Sequence, residues 1–380
     1  MWRSELKKMR DCAARRSATG DPFCTELAYH RNGSRYGGES RPRGVKMRGS
    51  VVAGTVALAF VLAGVGAAVA EVSEVRIVAQ NGSNYLPLFV MQGQKLVEKH
   101  LAAKGLASTG VVWSQLAGPS AIVDAFLAGA VHFSGQGVPS TALIWDRTRN
   151  GIGAKAVSAM TASNIWLMTR KPELKSLRDL TDKDRIAVPS IKTSTQAMFL
   201  WAAAEKEFGE RQWGKLDYIT VSLPHPDAMA AVLNPNGEIT VHGATSPYAD
   251  LERKAGLHSI TDLYAVEGGA QTGLNLVSTE QFRKANPITY DAVVAAFDEA
   301  IVWINADKRR AAALYLDISK DKMSLDDLVA ILTAPDYIFD RTPRRIGSAL
   351  KILNRTGTIK TKAQSWKEMY FPEAQQLAGD

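Results

Sequence analysis

The chain has 380 residues, 46% of them hydrophobic and 22% charged, with a formal net charge of +8. The first 46 residues carry +6 of that charge and Arg48 one more, which leaves +1 from Glu71 onward. The bulk of the chain therefore has no electrostatic reason to bind a phosphate backbone, and nucleic acid is excluded as a partner.

Residues 1–46 read as a basic extension, either disordered or translated from upstream of the true start, because Met47 stands where a signal peptide would begin. Both cysteines, Cys12 and Cys24, lie there. The remainder has no disulfide, no cysteine-ligated zinc and no thiol nucleophile, which suits an oxidising compartment. Residues 47–70 read as the signal peptide. Arg48 precedes the uncharged run Val51–Val69, and Ala68-Val69-Ala70 forms a small-x-small site before Glu71. Cleavage would release the protein to the periplasm; an uncleaved segment would be a membrane anchor.

The body opens with a strand, Val75 to Gln80, and an Asn81–Asn84 turn. A long helix is predicted from Tyr85 to about Lys104, with Leu86, Phe89, Val90, Leu96 and Val97 at helical spacing. Val111–Trp113 is a strand, followed by Gly118-Pro119-Ser120 and a short helix, Ala121–Leu127. A strand at His132–Ser134 leads into Gly135-Gln136-Gly137-Val138-Pro139-Ser140, which reads as a glycine-rich turn opening a helix. Strands follow at Ala156–Met160, Ile165–Thr169 and Arg185–Pro189. Then come the loop Ser190–Thr195, a strong helix from Gln196 to about Phe208, and strands at Tyr218–Ser222 and Ile239–His242. From Thr279 the chain is almost all helical. Its best amphipathic stretch is 288–306, with Val293, Phe297, Ala300 and Ile304 on one face. Strands alternating with helices across short turns predict an α/β protein with mostly parallel sheets.

No phosphate loop, nucleophile elbow or zinc-protease helix is present, and no two of the histidines are spaced to chelate a metal on one helix. Neither a metal nor a cofactor is expected. What recurs is a Gly/Ser/Thr loop just past a strand, opening a helix: Gly118-Pro119-Ser120, Gly137-Val138-Pro139-Ser140 and Thr193-Ser194-Thr195. Each can be an ordinary helix cap. Converging on one cleft, they would offer free N–H groups and hydroxyls to an anionic or strongly polar small ligand.

The chain resembles the nitrate/sulfonate/taurine-type substrate-binding proteins of ABC importers. The resemblance spans 73–380 and is strongest over Lys175-Ser-Leu-Arg-Asp-Leu180, Arg185-Ile-Ala-Val-Pro189 and Thr193-Ser-Thr-Gln196. Tyr85-Leu86-Pro87-Leu88, Gly118-Pro119, Gly137-Val-Pro139 and Ser246-Pro247-Tyr248 support it. It implies a type II periplasmic-binding fold with two lobes joined by two crossing strands. Lobe 1 would be 73–162 plus 273–380, and lobe 2 would be 163–272. It also implies a monomer that takes a small ligand between the lobes and hands it to an ABC permease, without chemistry. Carried over residue by residue, the pocket would comprise Asn81, Tyr85, Ser120, Gln136 and Gly137 from the first lobe. Ser163, Asn164, Thr193, Ser194, Thr195, His242 and Ser246 would come from the second lobe or hinge, with Thr272 at the second crossing. Tyr85 can equally be a plain helix-packing residue, and His242, in a β-rich stretch, reads as a buried, satisfied histidine before it reads as a ligand contact.

Two glycines of the family pattern are missing, at Thr181–Asp184 and at Ile191-Lys192, where the lysine could supply positive charge instead. With few carboxylates in these loops, and Glu267 the nearest, the expected ligand is a sulfonate, taurine, nitrate, carboxylate or neutral polar compound. The competing functions are a small-metabolite enzyme on the same fold, resembling pyrimidine-precursor synthases, and a ligand-sensing module for a membrane receptor. Such an enzyme would need an acid–base pair or a reactive histidine in the cleft.

Overall fold

The structure is a computed structural model that describes residues 71–116 and 118–380. The basic extension, the signal segment and both cysteines lie outside the described residues. The apolar runs form two five-stranded sheets, one to each of the two expected lobes.

The first sheet begins with β1 (Glu74–Ala79), followed by the helices α1 (Leu86–Gly93) and α2 (Leu96–Ala103). Next come β2 (Gly110–Gln115), α3 (Pro119–Leu127), β3 (Phe133–Gly137), α4 (Val138–Thr148) and β4 (Ala154–Ala162). The chain then crosses at Ser163-Asn164. The second sheet is built from β5 (Ile165–Thr169), β6 (Ile186–Val188), α5 (Thr195–Phe208), β7 (Thr220–Ser222), α6 (His225–Leu233), β8 (Val241–Thr245), α7 (Tyr248–Lys254) and β9 (His258–Asp262). After α8 (Leu263–Glu267) the chain returns to the first sheet as β10 (Thr272–Thr279). It ends in α9 (Glu280–Ala285), α10 (Pro287–Ala306), α11 (Lys308–Ser319), α12 (Leu325–Thr333) and α13 (Ile346–Arg355).

The sheet orders are β2-β1-β3-β10-β4 and β7-β6-β8-β5-β9. In each sheet one strand is reversed: β10 lies antiparallel to β3 and β4, and β5 to β8 and β9. These are the two strands that follow a crossing, so entry from the other sheet sets their direction. The remaining strands rise toward the space between the sheets, where the carboxyl-end loops of parallel strands place ligands. Residues 71–380 belong to one compact unit.

Two expectations change. The single helix over 85–104 is two, because Lys95 adopts a left-handed conformation (φ 49°) between them. Gly93, just before the break, faces Ile318 so closely that a Cβ would lie 2.6 Å from its Cδ1; side-chain-free backbone is what lets α11 pack there. The expected turn at Gly135-Gln136-Gly137 is instead the end of β3, with Gly137 paired to Leu274 and Gln136 to Asn275. Its glycines serve close approach: a Cβ on Gly135 would sit 2.8 Å from the Tyr85 ring, and one on Gly137 2.6 Å from Thr195 Oγ1.

The first core lies where α1, α2, α10 and α11 cover β1 and β3, and Phe297, Ala300 and Ile304 of α10 are fully buried in it. The second surrounds β5, β6 and β8 beneath α5. A third apolar cluster joins α4, α5 and α13, combining Trp145, Met198 and Trp201 with Ile346, Leu350 and Leu353.

In the second sheet's periphery, Lys171 Nζ lies 2.7 Å from Asp184 Oδ1, and the Asp184 side chain is 2% exposed. Burial alone would push this carboxyl up. The Lys171 ammonium and the amide and hydroxyl of Thr181 outweigh it and hold the group below the usual carboxylate range. A depressed folded value means this stabilisation is complete above the unfolded value of about 3.9 and is lost as pH falls through the folded one. The urea midpoint should therefore drop between about pH 5 and pH 3, and Asp184→Asn should flatten that drop. Equal slopes in both proteins would remove Asp184 from the account.

Candidate functional site

The carboxyl ends of the two sheets meet at a cavity of about 60 Å³. At roughly 10–15 Å³ per water-sized group, it has room for about four to six of them. From the first sheet come Gln80, Asn81 and Gly82 after β1, Asn84 and Tyr85 of the next turn, Pro119 at the start of α3, and Gly137. From the second come Pro189 after β6, Ser194, Thr195 and Gln196 at the start of α5, His225 at the start of α6, and Thr245 at the end of β8. The crossings add Ser163, Ile165, Gly273 and Leu274. Among the described residues no Lys, Arg, Asp or Glu lines the space.

The start of α5 is the most polar wall. Ser194 caps it, its hydroxyl oxygen accepting from Ala197 N at 3.2 Å, and Met198 N donates to the Ser194 carbonyl. The N–H groups of Thr195 and Gln196 have no partner among the described residues, and they stand at the positive end of a fourteen-residue helix. Gln80 also lines the cavity, with its Nε2 buried away from the open space and without a hydrogen-bond partner among the described residues.

Of the residues read from sequence, the structure brings Asn81, Tyr85, Gly137, Ser163, Ser194 and Thr195 to the cavity. Tyr85 presents a buried ring there. Ser163 donates to Asn84 Oδ1 at 2.8 Å, tying the first crossing to the β1 loop. The other seven lie elsewhere. Gln136 alternates with Gly135 and Gly137 along β3, so its side chain takes the opposite face, where its amide donates to Ser134 Oγ. His242 is likewise out of phase with Thr245 on β8 and sits one layer behind the wall. Ser120 and Thr193 reach each other instead, with hydroxyls 3.0 Å apart across the mouth between the lobes. Ser246 donates to Asp250 Oδ2 at 2.6 Å, while its carbonyl accepts from Ser83. Asn164 caps the two segments around the crossings: its amide donates to Asp262 Oδ1, and its Oδ1 accepts from Tyr264 N. Thr272 Oγ1 accepts from Arg344 N at 2.8 Å.

Lys192 does not supply charge to the cavity; its side chain is exposed. Its backbone takes the left-handed conformation (φ 68°) that a glycine favours, at the place where one was missed. Glu267 is also remote, accepting from Ser348 Oγ at 3.0 Å.

The cavity residues that sequence reasoning missed include Gln80, Gln196, His225 and Thr245. His225 is the one with chemistry. Its Nε2 lies 3.1 Å from Gln196 Nε2, and its ring stacks on Tyr248 with centroids 5.1 Å apart. Its Nδ1 lies 2.9 Å from His242 Nε2, and His242 Nδ1 lies 2.5 Å from Glu252 Oε1. The signal that could have found it is the helix start Pro224-His225, another residue opening a helix just past a strand. Among the described residues no group of histidines and acids converges to hold a metal.

This two-sheet architecture matches solved structures over most of their length. One is the periplasmic aliphatic sulphonate binding protein from Escherichia coli, at 15% identity and TM-score 0.59, covering 79% of this chain and 92% of that one. The chain has the periplasmic binding protein fold. The same fold is seen in the alkanesulfonate-binding protein from Xanthomonas axonopodis pv. citri bound to MOPS, at 13% identity and TM-score 0.61, covering 82% of this chain and all of that one. It is seen again in the periplasmic nitrate-binding protein from Synechocystis PCC 6803, at 12% identity and TM-score 0.59, covering 81% and 86%. No family model and no curated protein matches the sequence. The two lobes touch around the cavity: Ser83 Oγ donates to the Ser246 carbonyl at 3.3 Å, and Thr195 Oγ1 to the Gly273 carbonyl at 3.4 Å. Among the described residues no helix is long and apolar enough to cross a membrane.

Proposed function

We propose that this protein is the extracytoplasmic solute-binding component of an ABC importer, capturing a small oxyanion or neutral polar molecule between its lobes and delivering it to a membrane permease. One observation carries the reading: a cavity walled by both lobes whose lining, among the described residues, holds no formal charge, with the start of α5 at its wall. A cationic ligand would call for carboxylates or an aromatic cage, and the lining holds neither carboxylate nor more than one aromatic ring of the phenol or indole kind. The sulphonate- and nitrate-binding proteins of the same fold support the oxyanion class. The expected site is Asn81, Tyr85, Gly137, Ser163, Ser194 and Thr195, together with Gln80, Gln196 and His225.

The test is a thermal-shift screen of the purified protein against short sulfonates, taurine, nitrate, carboxylates, amines and pyrimidines. A ligand that binds only the folded state at about a hundred times its Kd adds roughly 2.7 kcal/mol of stability. A shift with an oxyanion or neutral polar compound, recovered unchanged, is the expected result. Tight binding of an amine alone would overturn the ligand class. An enzyme on this fold is the second reading, and His225 favours it, being a cavity histidine backed by a second histidine and a carboxyl group. Conversion of a compound in the screen would move the assignment there.

A further inference from the structure

His225 heads a file of three groups that runs back from the cavity wall through His242 to Glu252. His225 opens α6 and is half-buried at the cavity wall. His242 on β8 and Glu252 on α7 are fully buried. The file runs Glu252 Oε1, His242 Nδ1, His242 Nε2, His225 Nδ1, with separations of 2.5 and 2.9 Å, and ends at His225 Nε2, which lies 3.1 Å from Gln196 Nε2 and 3.5 Å from Thr245 Oγ1, all three residues lining the cavity. Every internal position is a hydrogen bond whose direction depends on where one proton sits.

We propose that Glu252, acting through His242, sets whether His225 offers a ligand a hydrogen-bond donor or an acceptor, and that one proton reverses all the bonds together. With the carboxylate ionised, His242 Nδ1–H donates to Glu252, His225 Nδ1–H donates to His242 Nε2, and His225 Nε2 presents a lone pair, which accepts from the Gln196 amide unless a ligand donor replaces it. A proton arriving from the cavity binds His225 Nε2. The Nδ1 proton of His225 passes to His242 Nε2, and the Nδ1 proton of His242 passes to Glu252. Both rings end neutral, the carboxyl group ends protonated, and His225 Nε2–H points into the cavity.

The surroundings favour this exchange over a charged ring. Burial pushes His242 down to about 3 and, with His242 beside it, holds His225 well below the ordinary histidine value. Burial pushes Glu252 up to about 8, and Arg253 is the cation that opposes it. Glu252 Oε2 has no partner, which a protonated carboxyl tolerates better than a carboxylate. The elements packed on the file bring little other charge. Strands β5 and β6 face His242 with Met168 and Ala187. Tyr248 covers His225, and Asp250 is engaged by Ser246 and Arg253. Asp227, on the first turn of α6, is exposed.

The consequence for capture rests on the solute-binding reading: an oxyanion would enter with uptake of one proton, weakening about tenfold per pH unit above the midpoint, and an N–H ligand would show the reverse. The file itself can be tested without any ligand. In the full chain labelled with ¹⁵N-histidine, two-bond proton–nitrogen spectra read each ring's tautomer from pH 6 to 10. The expected result is that His225 and His242 stay neutral and pass together from Nε2–H to Nδ1–H with one midpoint. Glu252→Gln should abolish the step, and Glu252→Asp should keep it with a moved midpoint; near-UV circular dichroism verifies that both fold. Either ring becoming doubly protonated in that range, independent midpoints, unchanging tautomers, or a step that survives in Glu252→Gln would overturn the proposal. A ligand screen with no shift counts against the solute-binding reading and leaves these spectra unaffected.

Discussion

Gly137→Ala is expected to leave the protein folded and to weaken ligand capture by roughly a hundredfold, about 2.7 kcal/mol. Gly137 has φ −59° and ψ 157°, a conformation open to any residue, so the added methyl brings no backbone strain. What it meets is the other lobe: its Cβ would lie 2.6 Å from Thr195 Oγ1, and the next contact, Thr195 N, is at an ordinary 3.6 Å. A contact that short must open the cavity at the wall where α5 presents its free N–H groups. The cost therefore falls on the closed, ligand-holding state and spares a more open one. Calorimetric titration with the ligand found by screening measures it. Thr195→Ala removes the clashing oxygen, so in a double-mutant cycle it should recover part of the loss relative to Thr195→Ala alone. Unchanged affinity in Gly137→Ala would mean that the lobes do not need to meet at this point.

The same glycine shows where sequence reading succeeded and where it stopped. Gly137, Ser194 and Thr195 were legible as loop ends because helix starts after strands carry small, hydroxyl and capping residues whatever their tertiary context. The strand at Ile165–Thr169 and the amphipathic face of α10 were legible for the same reason, since local periodicity encodes them. Gln136 and His242 were misplaced by phase. Each belongs to a strand that reaches the cavity, but alternation turns the side chain away, and phase could be fixed only by knowing which face of the sheet is the cavity face. Reading Gly135–Gly137 as a turn was the related error: a strand disfavours glycine unless another group must approach, and Tyr85 and Thr195 come from segments 50 residues before Gly135 and 58 residues after Gly137. The file from Glu252 to His225 had no local signature. It joins two helices through a strand, and its members are separated by 10 and 17 residues.

Trp201→Ala should produce the largest loss of stability, about 3–5 kcal/mol from the cavity it leaves. Trp201 is 3% exposed. It packs edge-on against Trp213 with centroids 5.9 Å apart and donates its indole N–H to Asp217 Oδ1 at 2.9 Å. It also belongs to the apolar cluster that α5 of the second lobe shares with α4 and α13 of the first, and one turn further along, Glu205 pairs with Arg355 at 2.6 Å. This seam joins the lobes beside the crossings with buried carbon, whereas at the cavity mouth they meet through single hydroxyl contacts such as Ser120 to Thr193. Apolar contact is lost in proportion to area and hydroxyl pairs exchange readily with water, so opening should pivot about the seam and part the mouth. Scanning calorimetry tests this. Wild type should unfold in one transition, and Trp201→Ala should lower the melting temperature and separate the lobes into two. A loss below about 1 kcal/mol, or a single transition displaced without splitting, would mean that the crossings alone couple the lobes, and the pivot would then lie at Ser163-Asn164 and 268–271 rather than along α5.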